Sequence, residues 1–441
     1  MIELEKEFEN DFYSKDVNKI SVTDDVSVIS IIGQDLSTFH KPYTALIKNK
    51  IVPILFNNTV TGKNVSLVVK KSQLNRALNV IHGEIFGVSK KINIAIFGHG
   101  LVGGTLINQI LESAATIEKR KDVRLNVFAI ANSKNVLLNK NGVTPNWRNE
   151  IQNNGFSYKI EDIIAYANEH NLENLIAIDN TASADFVENY IPLIESSFDL
   201  ISSNKVANTL SYSFYKKLRK VLADNQKSYL YETNVGAGLP IIDTVKNLIA
   251  SGDKVNKIQA VLSGSLNFIF NNFSDTYNFH DVVKEAGVQG FTEPDPKIDL
   301  SGIDVARKIL ILIRESGYQM DIEAIANESF MPSECLETTS NEAFFASLQK
   351  HAAHFDALYN EAKSKESRLK YVAQFENGKA SVGLQFIPKD HPFYNLEGKD
   401  NIVLFYTDRY VDQPLLIKGA GAGAAVTASG IFADVIRIGN V

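Results

Sequence analysis

Ile92-Asn93-Ile94-Ala95-Ile96-Phe97 runs directly into Gly98-His99-Gly100-Leu101-Val102-Gly103, an apolar run followed by three glycines spaced G-x-G-x-x-G. The first six residues have the length and β-branched content of a buried strand. Apolar residues at Val102, Leu106, Ile110 and Leu111 then recur at helical spacing. Three glycines alone carry little information, but between a strand and a helix each has a mechanical task. Gly98 permits a tight turn, Gly100 lets the backbone approach a pyrophosphate, and Gly103 lets helix and strand pack closely. The helix start at Leu101 and Val102 offers free N–H groups and the positive end of a helix dipole to phosphates. An ordinary strand-to-helix turn is the bland alternative; the context favours dinucleotide binding.

Outward from this stretch, strands are expected over 127–131, 175–179 and 198–202, with helices over 160–170 and 184–196. Such alternation implies right-handed crossovers and a parallel sheet. At the end of the second strand, where NAD-binding folds place a carboxylate on the ribose 2′-hydroxyl, the chain has Asn132-Ser133-Lys134. No acid there would repel a 2′-phosphate, and Ser133 and Lys134 can bind one, so NADP(H) is favoured over NAD(H); otherwise Lys134 is a solvated lysine. The next two strands end in Asp179-Asn180-Thr181-Ala182-Ser183 and Ser203-Asn204-Lys205. Ligands sit beyond the carboxyl ends of parallel strands, which places Thr181 and Lys205 near cofactor and substrate. Taken alone, a lysine at a strand end is more often solvated than catalytic.

Upstream, a strand over 26–32, a Gly33-Gln34-Asp35 turn, a helix through Lys48, strands over 52–56 and 65–69 and a helix over 72–86 capped by Ser72 give a β-α-β-β-α order. That order fits a small ferredoxin-like sandwich, either a small-molecule sensing module or a structural dimerisation unit. Past Val235 the pattern is mixed, closing with Gly419-Ala420-Gly421-Ala422-Gly423 and an apolar helix over 426–436.

At ~100–200 residues per domain, 441 residues imply two to four domains. A net charge of −6 gives no global field toward nucleic acid or anionic lipid. One cysteine, Cys335, excludes an internal disulfide framework and fits a reducing compartment. The acidic N-terminus is neither signal nor transit peptide, and the apolar run 309–313 is far shorter than the ~20 residues a bilayer span needs. A cytoplasmic, multidomain protein without nucleic-acid or membrane partners is expected. His351 and His354 lack a third ligand, so no zinc is expected.

Two further segments carry chemistry: Tyr231-Glu232-Thr233-Asn234-Val235-Gly236-Ala237-Gly238-Leu239-Pro240, and the stretch from Gly290 to Lys308. In the second, Ser301 is expected to cap a helix from Gly302 to about Arg314, which puts Asp304 and Lys308 on one face at i, i+4. Pro-flanked turns hold Glu293 and Asp299 near its start. Carboxylates for an ammonium group and a lysine for proton transfer then share one platform; the alternative is a surface ion pair of small consequence.

Taken together, the glycine fingerprint, Asn204-Lys205, Glu232–Pro240, Glu293–Lys308 and the terminal Gly-Ala-Gly run occur in the order of one family. The sequence resembles homoserine dehydrogenase, most of all the C-terminal half of the bifunctional aspartokinase–homoserine dehydrogenases. The likeness covers about residues 91–441, and the first 88 resemble an ACT repeat. It implies an α/β protein: a ferredoxin-like ACT-type domain over 1–88, a Rossmann-type NAD(P)-binding domain over 89–235 plus 412–441, and an α+β substrate-binding and dimerisation domain over 236–411. The implied activity is reversible NADPH-dependent reduction of aspartate 4-semialdehyde to homoserine. Lys308 is then the proton donor with Lys205 beside it. Glu293, Asp304 and Asp299 bind substrate, and Gly290 and Gly423 join the cofactor site. The resemblance also implies a sodium ion on the Glu232 side chain and the carbonyls of Val235, Ala237 and Leu239, a homodimer, and threonine as effector. Ser203 and Val206 depart from the family's usual proline and lysine, which puts the local loop shape in doubt. Competing readings are an amino-acid sensor without turnover and a different dinucleotide-dependent dehydrogenase.

Overall fold

A computed structural model describes residues 2–15, 21–32, 40–58, 63–86 and 89–439 and contains three sheets among them. The expected Gly33-Gln34-Asp35 turn lies outside the described residues. In the first sheet, β1 (Val26–Ile32), β2 (Leu55–Asn58) and β3 (Asn64–Lys70) run antiparallel in the order β1-β3-β2. Strand alternation puts Ile29 and Ile31 on the same side as Val65, Leu67 and Val69, and helices His40–Lys48 and Leu74–Phe86 cover that side with Leu46, Ala77 and Val80. The second strand starts at Leu55 rather than residue 52, because Pro53 has no N–H for a ladder. Ser72 does not cap a helix: it lies in the 3-10 turn Lys71–Gln73, whose first N–H donates to Asp25 O at 2.7 Å.

The second sheet holds β4 (Lys90–Phe97), β5 (Val123–Ala131), β6 (Asn135–Leu138), β7 (Phe156–Ser157), β8 (Leu175–Asp179), β9 (Phe198–Ser202) and β10 (Tyr229–Leu230). Their order is β10-β9-β8-β4-β5-β6-β7, parallel from β10 to β5. Ile92, Ile94 and Ile96 of β4 face helices Leu101–Lys121 and Ala424–Gly439, whereas Ala95 and Phe97 join the core of the other face. Neighbours on both sides make β4 the strand where the winding direction reverses, which is where such sheets bind ligands. The β6–β7 extension, absent from the sequence expectation, begins at a side chain. Asn132 Oδ1 accepts the N–H groups of Lys134 and Asn135, both at 2.8 Å, and folds the chain back antiparallel to β5. The helix expected over 184–196 is split into a 3-10 turn, Asp185–Asn189, and an α-helix, Tyr190–Glu195. The break leaves Pro192 in a first helical turn, where its missing N–H costs nothing.

The third sheet combines β11 (Val255–Val261), β12 (Ile325–Glu328), β13 (Arg368–Glu376), β14 (Lys379–Ile387), β15 (Asp400–Thr407) and β16 (Leu415–Ala420) in the order β12-β14-β13-β11-β15-β16. Helix Ile303–Glu315 packs on it and buries all of Ile309 to Ile313. Beyond β16 the chain leaves this sheet through Gly421–Gly423, and its terminal helix returns to pack on helix Leu101–Lys121 of the second. No described helix is long and apolar enough to cross a membrane.

Lys370 in β13 is wholly buried, and its ammonium donates to Asn267 Oδ1 (2.9 Å), Asn271 Oδ1 (2.5 Å) and Leu396 O (2.6 Å), all neutral acceptors. Burial, helped by Arg368 and Lys418, pulls its pKa from 10.5 down to about 7. Between those values the unfolded chain binds more protons, so Lys370 makes stability rise with pH through that window, by up to ~1.4 kcal/mol per pH unit. Denaturant titrations of wild type and Lys370→Met are expected to diverge in wild type's favour from about pH 7 upward. Parallel curves would refute a titrating lysine there.

Candidate active site

The first part of the site is a cleft of about 800 Å³ over the carboxyl ends of β4, β5 and β8, lined by Gly98, His99, Gly100, Ser133, Lys159 and Thr181 among others. Gly98 has φ +86°, and a Cβ there would stand 2.8 Å from Asn180 O; one on Gly103 would stand 1.9 Å from Gly98 O. No residue with a side chain fits either place. Leu101, Val102 and Gly103 form the first turn of the helix that starts after Gly100, so their N–H groups face the loop. Of the other expected cofactor residues, Lys134 stands one position outside the lining. Gly290 (φ +70°) ends helix Phe279–Val288, and Gly423 (φ +130°) precedes the terminal helix.

A buried carboxylate ties the wall of this cleft to the next loop. Asp179 Oδ1 accepts the Thr181 N–H at 2.8 Å, and Oδ2 accepts from Tyr190 Oη (2.7 Å) and Asn204 Nδ2 (3.1 Å). Burial raises its pKa and these donors oppose the rise. Ser203 Oγ donates to Asn180 Oδ1 at 3.0 Å. Lys205 is the first residue past these anchors, and its side chain reaches a second cleft.

That cleft, about 570 Å³, is lined by Lys205, Glu293, Lys297, Asp299, Asp304 and Arg307 among others. Its floor is the helix Ile303–Glu315. Ser301 is not the cap of that helix: a short helix, Pro296–Leu300, ends there, and the longer one starts from Gly302 at φ +72°. Tyr371 packs against Gly302 so closely that a Cβ would stand 1.9 Å from its hydroxyl oxygen. From this start, Asp304 and Lys308 meet at 2.8 Å, and Lys205 Nζ stands 3.5 Å from the other oxygen of Asp304. Burial alone would raise the Asp304 pKa, but the two ammonium groups overcome it and hold the carboxyl well below the usual range. Lys308 also donates to Leu262 O at 2.7 Å. An ammonium has three N–H donors, so one remains for a ligand.

Asp299 is engaged on both oxygens, accepting from Glu293 N–H and Ser265 Oγ, each at 2.8 Å. It therefore fixes the loop that presents the exposed Glu293 side chain. Leu262 and Ser265 were not foreseen from the sequence. They bracket the switch from β11 to helix Gly264–Asn272, whose cap Ser263 was the available signal.

The Glu232 carboxylate caps helix Ile242–Ala250, accepting from Ile242 N–H (2.7 Å) and Asp243 N–H (2.9 Å). The Glu232 backbone N–H donates to Asp434 Oδ2 at 3.1 Å, which brings a second buried acid beside it. Burial, with Glu232 adjacent, lifts the Asp434 pKa to about 7; its other oxygen makes no hydrogen bond and meets only Arg437, at 3.4 Å. Thr233 Oγ1 is likewise buried without a partner. Gly236 and Ala237 are both left-handed, a tight double turn within the Val235–Leu239 loop. Crowded, under-satisfied oxygens of this hard type fit a small cation.

Residues 98–232 match a family model described as homoserine dehydrogenase, NAD binding domain, and residues 240–436 one described as homoserine dehydrogenase. The bifunctional aspartokinase/homoserine dehydrogenase of Buchnera aphidicola is 35% identical over 98% of this chain and 54% of that protein. The chain thus spans about half the length of the bifunctional relatives it matches. The homoserine dehydrogenase of Schizosaccharomyces pombe is 35% identical over 79% of this chain and 95% of that protein. A solved Candida auris protein of unknown function superimposes with a TM-score of 0.73 at 33% identity, over 79% of this chain and 98% of that one. A hyperthermophilic archaeal homoserine dehydrogenase solved with NADPH gives a TM-score of 0.60 at 24% identity, over 79% and 97% of the two chains. With models matching on both sides of the Glu232–Pro240 loop and a relative covered almost end to end, the chain belongs to the homoserine dehydrogenase family.

Proposed function

We propose that this chain reversibly reduces L-aspartate 4-semialdehyde to L-homoserine with NADPH. The observation that carries the reading is Asp304 held between Lys308 and Lys205 beside the nucleotide cleft. Bound NADPH supplies the hydride. As charge develops on the carbonyl oxygen, the remaining N–H of Lys308 would supply the proton, from an ammonium fixed by Asp304 and Leu262. Lys205, across Asp304, adds positive potential on the same side. Glu293 takes the substrate's ammonium, and the cations Lys297 and Arg307 lining the same cleft suit its carboxylate. Ser133 and Lys134, at a strand end with no acid in Asn132-Ser133-Lys134, favour the phosphorylated cofactor. A sodium ion held by Glu232 and the carbonyls of Val235, Ala237 and Leu239 would have a structural task, bracing the loop that joins the two units.

The first 88 residues are read as an ACT-type regulatory domain on the strength of the β-α-β-β-α order and the β1-β3-β2 sheet. A cavity of about 390 Å³ between this unit and the second sheet is lined by Lys91, Arg124, Glu118 and Glu173 among others, both signs of charge that an amino acid presents. Threonine is the effector to titrate. Inhibition by it would support the regulatory reading, and no inhibition with no binding would dismiss it.

Homoserine plus NADP is expected to raise the dihydronicotinamide absorbance band; no change at any substrate level would leave the sensor reading. Lys308→Ala should lower kcat by ~10²–10⁴-fold while the Kd for NADPH stays near wild type. A near-normal rate would remove Lys308 as proton donor. Glu293→Gln should raise KM for homoserine with kcat changed far less, and an unchanged KM would take Glu293 out of the substrate contacts.

A further inference from the structure

We propose that His99 and Arg148 complete the pocket for the 2′-phosphate of NADP(H) and set the preference for it over NAD(H). The proposal rests on the reading above that NADP(H) is the preferred cofactor. His99 stands between Gly98 and Gly100, and its ring lines the nucleotide cleft together with Ser133 at the end of β5. In a dinucleotide fold the adenosine ribose lies between those two loops.

The tautomer of the ring is selected by its neighbour. Asn132 Oδ1 is occupied by the N–H groups of Lys134 and Asn135, so its Nδ2 is the donor toward His99 Nε2 at 3.1 Å. In the neutral ring Nδ1 then carries the proton. Trp147 packs edge-on to His99 with centroids 5.6 Å apart, and its own indole N–H donates to Asn108 Oδ1 at 3.1 Å. Trp147 is thus fixed against His99.

Arg148 lies over this indole, its guanidinium carbon 4.4 Å from the ring centroid. One terminal nitrogen stands 2.6 Å from where a Cβ on Gly104 would be, and His99 O is 3.4 Å from the same point. The absence of a side chain at Gly104 therefore lets a guanidinium rest against the first turn of the phosphate-facing helix. That turn is the positive end of a helix dipole, a poor place for a cation. Among the described residues Arg148 makes no ion pair. A cation stacked, exposed and set beside like potential without a carboxylate is matched by a bound anion. The guanidinium fork suits a phosphate monoester, Lys134 adds a point charge and Ser133 a hydroxyl.

The test measures Kd for NADPH and NADH by dihydronicotinamide fluorescence on the full chain, for wild type, Arg148→Gln and His99→Ala. Wild type should bind NADPH tighter. Arg148→Gln should weaken NADPH by roughly 10- to 100-fold, the value of a charge-assisted hydrogen bond, with NADH affinity unchanged, and His99→Ala should weaken NADPH by less. Adenosine 2′,5′-bisphosphate should compete with NADPH on wild type and lose potency on Arg148→Gln. Equal loss of NADPH and NADH affinity, or none, would overturn the assignment while leaving NADP(H) preference standing. A wild type that binds both cofactors equally would overturn that preference and the assignment with it.

Discussion

One carboxylate shared by two ammonium groups joins the halves of this site. Lys205 comes from the loop after β9 in the parallel sheet, and Lys308 from the helix on the third sheet. Either lysine alone beside Asp304 would be a partly exposed ion pair of modest worth. Together they form a +2/−1 cluster whose geometry is set from both sides. Asp179 and Asn180 anchor the loop of Lys205, while Gly302 under Tyr371 fixes the start of the helix carrying Asp304 and Lys308. Relative movement of the two units would therefore separate the charges.

How much of this was legible in the sequence depends on how local the cause is. The glycine turn and the face shared by Asp304 and Lys308 follow from spacing, because their geometry is set within a few residues. The place where helix Ile303–Glu315 begins does not: Ser301 has the right chemistry for a cap, but Tyr371, distant in sequence, packs where only Gly302 leaves room. Pro192 was an available signal of interruption, but the expectation over 184–196 ran straight through it. The turn at Asn132 was hidden because one side-chain oxygen, not a Gly or Pro, reverses the chain.

Leu262 illustrates a different limit. It contributes through its backbone carbonyl, so no residue type at that position announces it. The same holds for the Val235–Leu239 loop, where the ligands expected beyond Glu232 are main-chain carbonyls and only the left-handed Gly236 and Ala237 reveal the turn. For that loop the family order supplied what composition and periodicity could not; for Leu262 it did not.

The terminal helix has an implication for biosynthesis. It covers β4 and the glycine-loop helix, yet it follows the entire third sheet in the chain. Emerging from the ribosome, the nucleotide unit would expose Ile92, Ile94 and Ile96 until the last segment arrives to shield them. The cover of that half is therefore completed only after the third sheet has been made, and removing helix Ala424–Gly439 strips apolar cover from the cofactor half rather than from its neighbour.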